Sequence, residues 1–339
     1  MNKTFDSLGL MSGTSMDGID LSIISSDGNS GFKAIYNKYI SYNEEFKKKM
    51  SNLRDKINNT NDLEKFKKEL KFLEKDITIF HSEEIYKVLK EKNYNVDLIG
   101  FHGQTIFHNA DKKISKQLGD GKLLSQLLKK KVVYNFREND LKNGGQGAPL
   151  APIFHQLISK QMKFDLPICI LNIGGIANIT VIEKDLASLA SQDIGPGNCL
   201  IDEWIRKNTK KNYDEGGLVS KSGKSNIAIL NQALENYEAL ENKNILSYDT
   251  KDFDINFIRG LSLEDGAATV TEFTGTVLAE GIQRFLSKVN SESKIILVSG
   301  GGRKNVQLLN ILKKKLSDTL IIENIDKYGV DGDFIESQA

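Results

Sequence analysis

A glycine-rich stretch near the start of the chain, GLMSGTSMDGID at residues 9–20, has residue types suited to holding a negatively charged group. Glycines expose successive backbone N–H groups with no side chain in the way, and such a run of N–H groups binds phosphate. The hydroxyls of Thr14 and Ser15 add donors, and Asp17 or Asp20 could hold Mg²⁺ or bind a hydroxyl group. The alternative is a plain hairpin turn, which the spacing alone favours.

Two further glycine turns occur later in the chain. Gly174 and Gly175 lie in NIGGIAN, while Gly300, Gly301 and Gly302 lie in VSGGGRKN, between a strand pattern and a helix pattern. The first of these matches the N-terminal turn in its surroundings, so the pair favours one polyphosphate bound from both sides. The second would let a flat base or ribose lie close to the backbone, and a simple strand-to-helix turn is its alternative. Neither a Rossmann fingerprint nor a Walker sequence occurs in the context that it requires.

Asp193, in SQDIGPGN, is the candidate for proton transfer. Gly195, Pro196 and Gly197 follow it, fixing the backbone and leaving space beside the carboxylate. A carboxylate fixed in a cleft is what a general base acting on water or a hydroxyl requires. The alternative is an aspartate that caps a turn or the next helix, and Asp202 on that helix is predicted to be structural.

Polar side chains in FHGQT and NFREND suit a small polar ligand. His102, Gln104 and Thr105 can hydrogen-bond a polyol or an amide. The planar fork of Arg137 matches a carboxylate on a ligand, and a salt bridge to Asp140 is the alternative. The chain has 4 histidines, none of them paired at metal spacing, so we reject a zinc site.

The elements that position these residues recur in two halves of the chain. Residues 5–11 and 19–24 predict buried strands joined by the first glycine turn, and residues 166–183 predict a second strand, turn and strand. Residues 96–108 predict a buried strand with a polar end, as does KKVVYNFREND. The recurrence predicts two related domains, 1–142 and 143–339, divided just before NGGQGAP.

Helices are predicted from apolar residues spaced three or four apart. Residues 43–93 show this pattern among many Lys and Glu, with a break near NNTND. Further helices are expected near residue 151 and over 200–206 and 262–290, whereas residues 208–254 are expected to be irregular.

Length and charge narrow the classes of function. A chain of 339 residues suits two domains, each able to bury its own core. The 46 Lys and Arg nearly balance the 45 Asp and Glu, so we expect neither nucleic acid nor a membrane as partner. Cys169 and Cys199 lack the spacing of a zinc or redox pair, which indicates a reduced, cytoplasmic compartment. No segment approaches membrane-spanning length.

Eight segments, in order, resemble the motifs of the anhydro-N-acetylmuramic acid kinases. They are GLMSGTSMDGID, FHGQTIFH, QLGDG, NFREND, GGQGAPLAPIFH, NIGGIAN, DIGPGN and SGGGRKN. The resemblance covers nearly the whole chain, and the combination of MSGTSMDG, HGQT and GGQGAP is highly specific. It implies an α/β fold of the actin, Hsp70 and sugar-kinase superfold, with two ribonuclease-H-like domains and an ATP and sugar cleft between them. It further implies ATP and Mg²⁺ as cofactors and a homodimer in the cytoplasm.

The resemblance also implies roles for particular residues. The ATP phosphate-binding motif corresponds to Gly13, Thr14, Ser15, Met16, Asp17, Gly18, Ile19 and Asp20. The second phosphate loop corresponds to Gly174 and Gly175, and the nucleoside contact to Gly300, Gly301 and Gly302. Asp193 matches the catalytic base. The sugar or its lactyl carboxylate would be contacted by Gln104, Thr105 and Arg137, and Glu336 matches a substrate-site glutamate.

The implied reaction opens the 1,6-anhydro ring of 1,6-anhydro-N-acetylmuramic acid by hydrolysis and phosphorylates O6. The product, N-acetylmuramic acid 6-phosphate, belongs to cell-wall peptidoglycan recycling. One alternative is a kinase of another sugar or small carboxylate in the same superfold, and a second is an actin-like or Hsp70-like nucleotide-driven assembly protein. The chain departs from the family at residues 246–254, where LSYDTKDFD replaces the usual Pro-Pro-Lys-Ser segment.

Overall fold

A computed structural model describes residues 3–185, 188–241 and 248–339. Its contacts divide the chain into two compact units. Unit 1 comprises Met1–Gln161 and Phe334–Ala339, and unit 2 comprises Met162–Asp333. Leu246 and Ser247, in the segment that is predicted to depart from the resembled family, lie outside the described residues.

Unit 1 is built on a 6-stranded mixed sheet. Its strands are β1 (Phe5–Ser12), β2 (Gly18–Ser26), β3 (Phe32–Ser41), β4 (Leu98–Asn109), β5 (Ile114–Leu118) and β6 (Lys131–Tyr134). The order is β3-β2-β1-β4, with β1 antiparallel to β2 and parallel to β4. Both β5 and β6 pair with β4, β5 antiparallel and β6 parallel. Alternate apolar residues of β1 and β2 enter the core, as the sequence pattern predicts.

Helices cover the sheet of unit 1. They are α1 (Glu44–Lys56), α2 (Thr60–Lys65), α3 (Lys67–Lys92), α4 (Gly121–Leu128), α5 (Phe136–Lys142), α6 (Pro152–Met162) and, from the end of the chain, α12 (Ile335–Gln338). The predicted break near NNTND is confirmed, because the Asn59 side chain accepts from the Asn61 and Asp62 amides and caps α2. NFREND is helical instead of a strand end, since β6 stops before Asn135, which has a φ of 60°.

Unit 2 is built on a 5-stranded sheet of the same order. Its strands are β7 (Ile168–Ile173), β8 (Ile176–Ile182), β9 (Leu189–Pro196), β10 (Ile295–Ser299) and β11 (Ile321–Asn324). The order is β11-β10-β7-β8-β9, in which β7, β8 and β9 are antiparallel neighbours and β10 and β11 are parallel additions. In both units, three antiparallel strands come first, and two further strands then extend the sheet in parallel on the other side of the first strand. This is the ribonuclease-H-like order. The predicted recurrence of strand, turn and strand is therefore confirmed.

The helices of unit 2 pack around the long α10, whose buried face fills the core. They are α7 (Cys199–Asn208), α8 (Leu218–Ser222), α9 (Ile227–Glu241), α10 (Leu263–Lys288) and α11 (Val306–Lys315). The prediction that residues 208–254 are irregular is wrong, because α8 and α9 lie there. In α9 the buried residues Leu230, Ala233 and Tyr237 are spaced three and four apart, which is helical periodicity.

The division of the chain differs from the predicted boundary at 142/143, since unit 1 continues to Gln161. The reason lies in α6. Phe154 packs against Phe32 with ring centroids 4.7 Å apart, and the Gln161 amide bonds both backbone groups of Phe32, at 2.8 and 2.9 Å. These contacts keep α6 with the first sheet.

The end of the chain also belongs to unit 1. α12 packs on β1 and β2, where the Ser337 and Ser22 hydroxyls are 2.7 Å apart. A Cβ on Gly9 would collide with the Ser337 carbonyl oxygen, so this close approach requires glycine. None of the helices within the described ranges combines the length and apolar character that a membrane crossing needs.

Candidate active site

The first glycine turn, residues 13–17, joins β1 to β2 in unit 1. Its carbonyl oxygens are bound by protein donors. Gln104 Nε2 donates to the Gly13 oxygen at 2.9 Å, and Arg54 Nη1 donates to the Thr14 oxygen at 3.3 Å. The Ser15 hydroxyl donates to Asp17 Oδ1 at 2.7 Å. These bonds give the turn a defined shape, and the Met16 N–H is used within it, because it donates to the Gly13 oxygen at 3.3 Å.

Tyr42 forms hydrogen bonds with both ends of this turn. Its N–H donates to the Asp17 oxygen at 2.8 Å, and its hydroxyl lies 3.1 Å from Ser12 Oγ. Burial raises the pKa of Tyr42, so the hydroxyl stays protonated and serves as a neutral hydrogen-bonding group. Sequence reasoning missed both Tyr42 and Arg54, because neither lies in a glycine motif.

The remaining residues of the predicted phosphate motif are less accessible. Met16 is buried and has a φ of 56°, a left-handed conformation that lets the turn close. Gly18, Ile19 and Asp20 belong to β2, and the Ile19 side chain is in the core. A Cβ on Gly18 would lie 2.7 Å from the Tyr39 ring. Of these residues, only Asp20 presents a partly exposed polar side chain.

Gln104 and Thr105 lie on β4 beside the turn. A register shift in the β1–β4 pairing precedes Gln104, and Gly103 has a φ of 74° there. The Gln104 side chain is fully buried, and its Oε1 has no hydrogen-bond partner among the described residues. Thr105 Oγ1 accepts from Gln117 Nε2 at 3.2 Å. Gln104 therefore contacts the first glycine turn directly, while Thr105 is hydrogen-bonded to the neighbouring β5.

Arg137, on α5, is held by hydrogen bonds to two other segments. Its Nε donates to His102 Nε2 and its Nη1 donates to the Gly147 oxygen, both at 2.8 Å. The Gly147 N–H in turn donates to Asp140 Oδ2 at 2.7 Å. Burial and the charge of Arg137 lower the pKa of His102 to about 3, so that ring is neutral.

The second glycine turn, Gly174 and Gly175, joins β7 to β8 in unit 2. Its carbonyl oxygens are bound by backbone donors of the loop after β9. Asn198 N–H donates to the Gly174 oxygen at 2.7 Å, and Gly197 N–H donates to the Gly175 oxygen at 3.0 Å. A Cβ on Gly197 would collide with the Gly174 oxygen. Backbone donors bind these two oxygens, whereas the first turn is held by the Gln104 and Arg54 side chains together with the Met16 and Tyr42 N–H groups.

Gly300, Gly301 and Gly302 follow β10 and lie against the second turn. A Cβ on Gly300, whose φ is 75°, would lie 2.6 Å from the Ile173 oxygen. The Asn198 amide is the nearest group to a Cβ on Gly301, at 3.7 Å. The structure thus brings together two of the glycine motifs that the sequence singled out, both within unit 2.

Arg303 stabilises the third glycine motif through hydrogen bonds and ion pairs. Its buried guanidinium donates to the Gly300 oxygen and to both carboxylate oxygens of Asp326, each at 3.0 Å, and it also pairs with Asp333. Asp326 also accepts from the Gly332 N–H, and Gly300 N–H donates to the Gly332 oxygen. The arginine in SGGGRKN is the signal for this network, because a buried arginine needs carboxylate partners.

Asp193 is a buried residue of β9 in unit 2, only 6% exposed. It pairs with Asn178 next to a register shift, and the Tyr248 N–H donates to its Oδ2 at 3.1 Å. Gly195, two residues on, has a φ of 145° and bends the end of the strand. Sequence reasoning did not identify Tyr248, which lies in the segment that is predicted to depart from the family pattern.

Glu336 is exposed on α12 in unit 1. Its helix is anchored by the neighbouring Ser337 and by Gln338, whose amide donates to Asn37 Oδ1 at 3.2 Å. Within the described ranges, no group of three or more His, Cys, Asp or Glu side chains is placed to hold a metal ion.

Two ribonuclease-H-like sheets in one chain, each with a glycine turn between its first two strands, place the protein in the actin-like ATPase superfold with the sugar kinases. The sequence model of the family described as anhydro-N-acetylmuramic acid kinase matches residues 6–339. The chain belongs to that family of ATP-using enzymes.

Named relatives agree with this assignment. The anhydro-N-acetylmuramic acid kinase of Pelagibacter ubique (strain HTCC1062) is 53% identical over 100% of this chain and 91% of its own length. That of Zymomonas mobilis subsp. mobilis is 35% identical over 98% of this chain and 90% of its own length. A solved structure, component A of the Acidaminococcus fermentans (R)-2-hydroxyglutaryl-CoA dehydratase, is similar at a TM-score of 0.45 and 11% identity, covering 98% and 96% of the two chains. The fold assignment rests on the strand order and not on that likeness.

Proposed function

We propose that this protein uses ATP to open and phosphorylate 1,6-anhydro-N-acetylmuramic acid in cell-wall recycling. The match of the family over residues 6–339 carries this proposal. The product is N-acetylmuramic acid 6-phosphate, which has gained one water at C1 and one phosphoryl group at O6.

The phosphates of ATP are assigned to the two hairpin turns, residues 13–17 and Gly174–Gly175. Protein donors engage the Gly13, Thr14 and Asp17 oxygens of the first turn and both carbonyl oxygens of the second. This supports the assignment, because a free carbonyl would repel phosphate whereas an N–H group attracts it. The glycines 300–302, packed against the second turn, are assigned to the nucleoside.

Mg²⁺ is assigned to Asp17 or Asp20 together with the ATP phosphates. Mg²⁺ in kinases is held by one or two carboxylates plus phosphate oxygens and water, so a cluster of three protein ligands is not needed. Both aspartates are partly exposed at the first turn or next to it, which fits such a site. When bound, the ion neutralises charge that develops on the transferred phosphoryl group.

Asp193 is assigned as the general base. Its carboxylate takes a proton from the water that attacks C1, the C1–O6 bond breaks, and O6 then forms a bond to the γ-phosphorus as ADP leaves. The Tyr248 N–H on Oδ2 holds the carboxylate in one orientation. The sugar and its lactyl carboxylate are assigned to Thr105, Arg137 and Glu336, with Gln104 contributing through its bond to Gly13.

We also propose that the protein is a cytoplasmic homodimer. Its two free cysteines, of which Cys169 is buried, fit a reducing compartment. Sedimentation of the purified chain measures the dimer directly.

Asp193→Asn tests the proposed chemistry. Loss of a positioned general base lowers kcat by about 10²–10⁴ while both substrates still bind. The measurement is turnover of ATP and 1,6-anhydro-N-acetylmuramic acid, with binding followed by calorimetry. Asp202→Asn, on the helix that follows, is the matched control and is expected to turn over normally. An Asp193→Asn enzyme with near-normal kcat contradicts the assignment.

A further inference from the structure

The guanidinium of Arg137 is fixed at two of its nitrogens by separate segments of unit 1. Nε donates to His102 on β4, and Nη1 donates to the carbonyl of Gly147. The second acceptor is itself fixed, because the Gly147 N–H donates to Asp140. A planar fork held at two points has a single orientation.

The hydrogen bonds of His102 determine which of its ring nitrogens carries the proton. Nδ1 lies 2.6 Å from the Gly103 carbonyl oxygen, which can only accept, so Nδ1 carries the hydrogen and donates. Nε2 therefore has the lone pair that accepts from Arg137. Only the neutral Nδ1–H form of the ring satisfies both bonds.

This ring is also kept neutral by its surroundings. Burial and the positive charge of Arg137 lower the pKa of His102 to about 3. A protonated ring would lose its acceptor and repel the guanidinium. The imidazole thus remains an acceptor for Arg137 throughout the physiological range.

We propose that His102 is a positioning residue that orients the Arg137 guanidinium and thereby sets the preference of this enzyme for a sugar bearing a carboxylate. This inference rests on the proposed function, in which Arg137 binds the lactyl carboxylate. A guanidinium already held in its binding orientation loses less conformational freedom when the carboxylate arrives, so affinity for that group rises.

The test compares two sugars and two variants. The sugars are 1,6-anhydro-N-acetylmuramic acid and 1,6-anhydro-N-acetylglucosamine, which lacks the lactyl group. His102→Leu removes the acceptor and is expected to raise KM for the first sugar about tenfold, as loss of a bond to a charged group does. Its kcat, its KM for ATP and its kcat/KM for the second sugar are expected to stay within about twofold of wild type. His102→Gln, whose amide oxygen can accept near the Nε2 position, is expected to restore most of the lost affinity.

His81→Leu is the matched control, since His81 is also buried but bonds only the Ile77 carbonyl of its own helix among the contacts described. It is expected to leave the preference between the two sugars unchanged. An equal loss on both sugars with His102→Leu, no loss on either, or no recovery with His102→Gln overturns the inference. A wild-type protein that phosphorylates neither sugar instead overturns the proposed function, so the two failures are distinguishable.

The protonation form of His102 can also be measured on the wild-type protein, so this test does not depend on the folding of a variant. Nitrogen-15 NMR of the histidine rings is expected to show His102 as the neutral Nδ1–H form at pH 7 and at pH 5. A protonated ring at pH 6, or the Nε2–H form, overturns the inference.

Discussion

The two hairpin turns are held by different sets of hydrogen-bond donors. In unit 1, the long side chains of Gln104 and Arg54 bind the Gly13 and Thr14 oxygens, in addition to backbone bonds from the Met16 and Tyr42 N–H groups. In unit 2, the carbonyls of Gly174 and Gly175 are held by backbone N–H groups of the loop after β9. The first turn thus depends on which side chains stand elsewhere in the chain, and the second depends on glycines that permit close backbone approach.

The two units also differ in the histidine rings that can take up protons as the pH falls. All 4 histidines of the chain lie in unit 1, and none lies between residues 162 and 333. Burial lowers the pKa of His81 to about 4 and that of His155 to about 4, and burial with the Arg137 charge lowers that of His102 to about 3. Unit 1 therefore holds three neutral rings that acid must protonate on unfolding, of which His81 and His155 are buried and His102 is half-buried.

The largest predicted effect is a selective weakening of unit 1 at pH 5. Because these folded-state pKa values lie below the unfolded value of about 6.5, the unfolded chain binds more protons. The free energy of unfolding has its full value above about pH 6.5. It decreases as the pH falls toward the pKa values of the folded state, by about 2 kcal/mol for each ring at pH 5. Hydrogen exchange with mass spectrometry is expected to show faster opening of unit 1 peptides at pH 5 than at pH 7.

The single tryptophan, Trp204, reports on unit 2, where its indole N–H donates to the Leu263 oxygen at 2.9 Å. Its fluorescence is expected to stay native at pH 5 while unit 1 weakens. Equal destabilisation of both units at pH 5 would contradict the predicted difference between them.

Gly300→Ala is predicted to damage the backbone-shaped turn of unit 2. Gly300 has a φ of 75° and a ψ of 172°, a conformation that costs other residues about 1–3 kcal/mol. The new Cβ would also press on the Ile173 oxygen, at 2.6 Å. Thermal unfolding and KM for ATP are the measurements, with a lower melting temperature and a KM raised about tenfold expected. Gly301→Ala is the control for folding, because its Cβ meets only Asn198 at 3.7 Å; a melting temperature lowered as much as in Gly300→Ala would count against this explanation.

Gln104→Leu is predicted to loosen the side-chain-shaped turn of unit 1. The change removes the bond to the Gly13 oxygen, worth about 1 kcal/mol, and also removes a buried oxygen that has no hydrogen-bond partner among the described residues. Stability is therefore expected to change little, while KM for ATP rises roughly fivefold. Gln161→Leu, which removes two bonds to Phe32 in the same unit, should lower stability without changing KM. An unchanged KM in Gln104→Leu would show that the turn keeps its shape without this side chain.

Much of the fold could be predicted from the sequence because its signals are local. Alternating apolar residues flank both glycine turns, and Asn59 caps α2 at the predicted break. Helix α9 was missed although its apolar residues have helical spacing, since the polar residues between them resemble those of a loop.

The partners of the site residues could not be predicted, because they lie far apart in the chain. Gln104 reaches Gly13 across 91 residues, and Tyr248 reaches Asp193 across 55. Such pairs form only once the sheets have assembled. The glycine motifs could be found because glycine in a sequence indicates a close backbone approach. Arg54 and Tyr42 lie in no motif that indicates their contacts.

The coupling of ring opening to phosphorylation is tested most directly by isotope labelling. The protein is incubated with ATP, Mg²⁺ and 1,6-anhydro-N-acetylmuramic acid in ¹⁸O-water, and the product is weighed by mass spectrometry. We predict a product that has gained one phosphoryl group and one labelled water, with the label at C1. A phosphorylated product without labelled oxygen at C1, or no phosphorylated sugar at all, would contradict the proposed reaction.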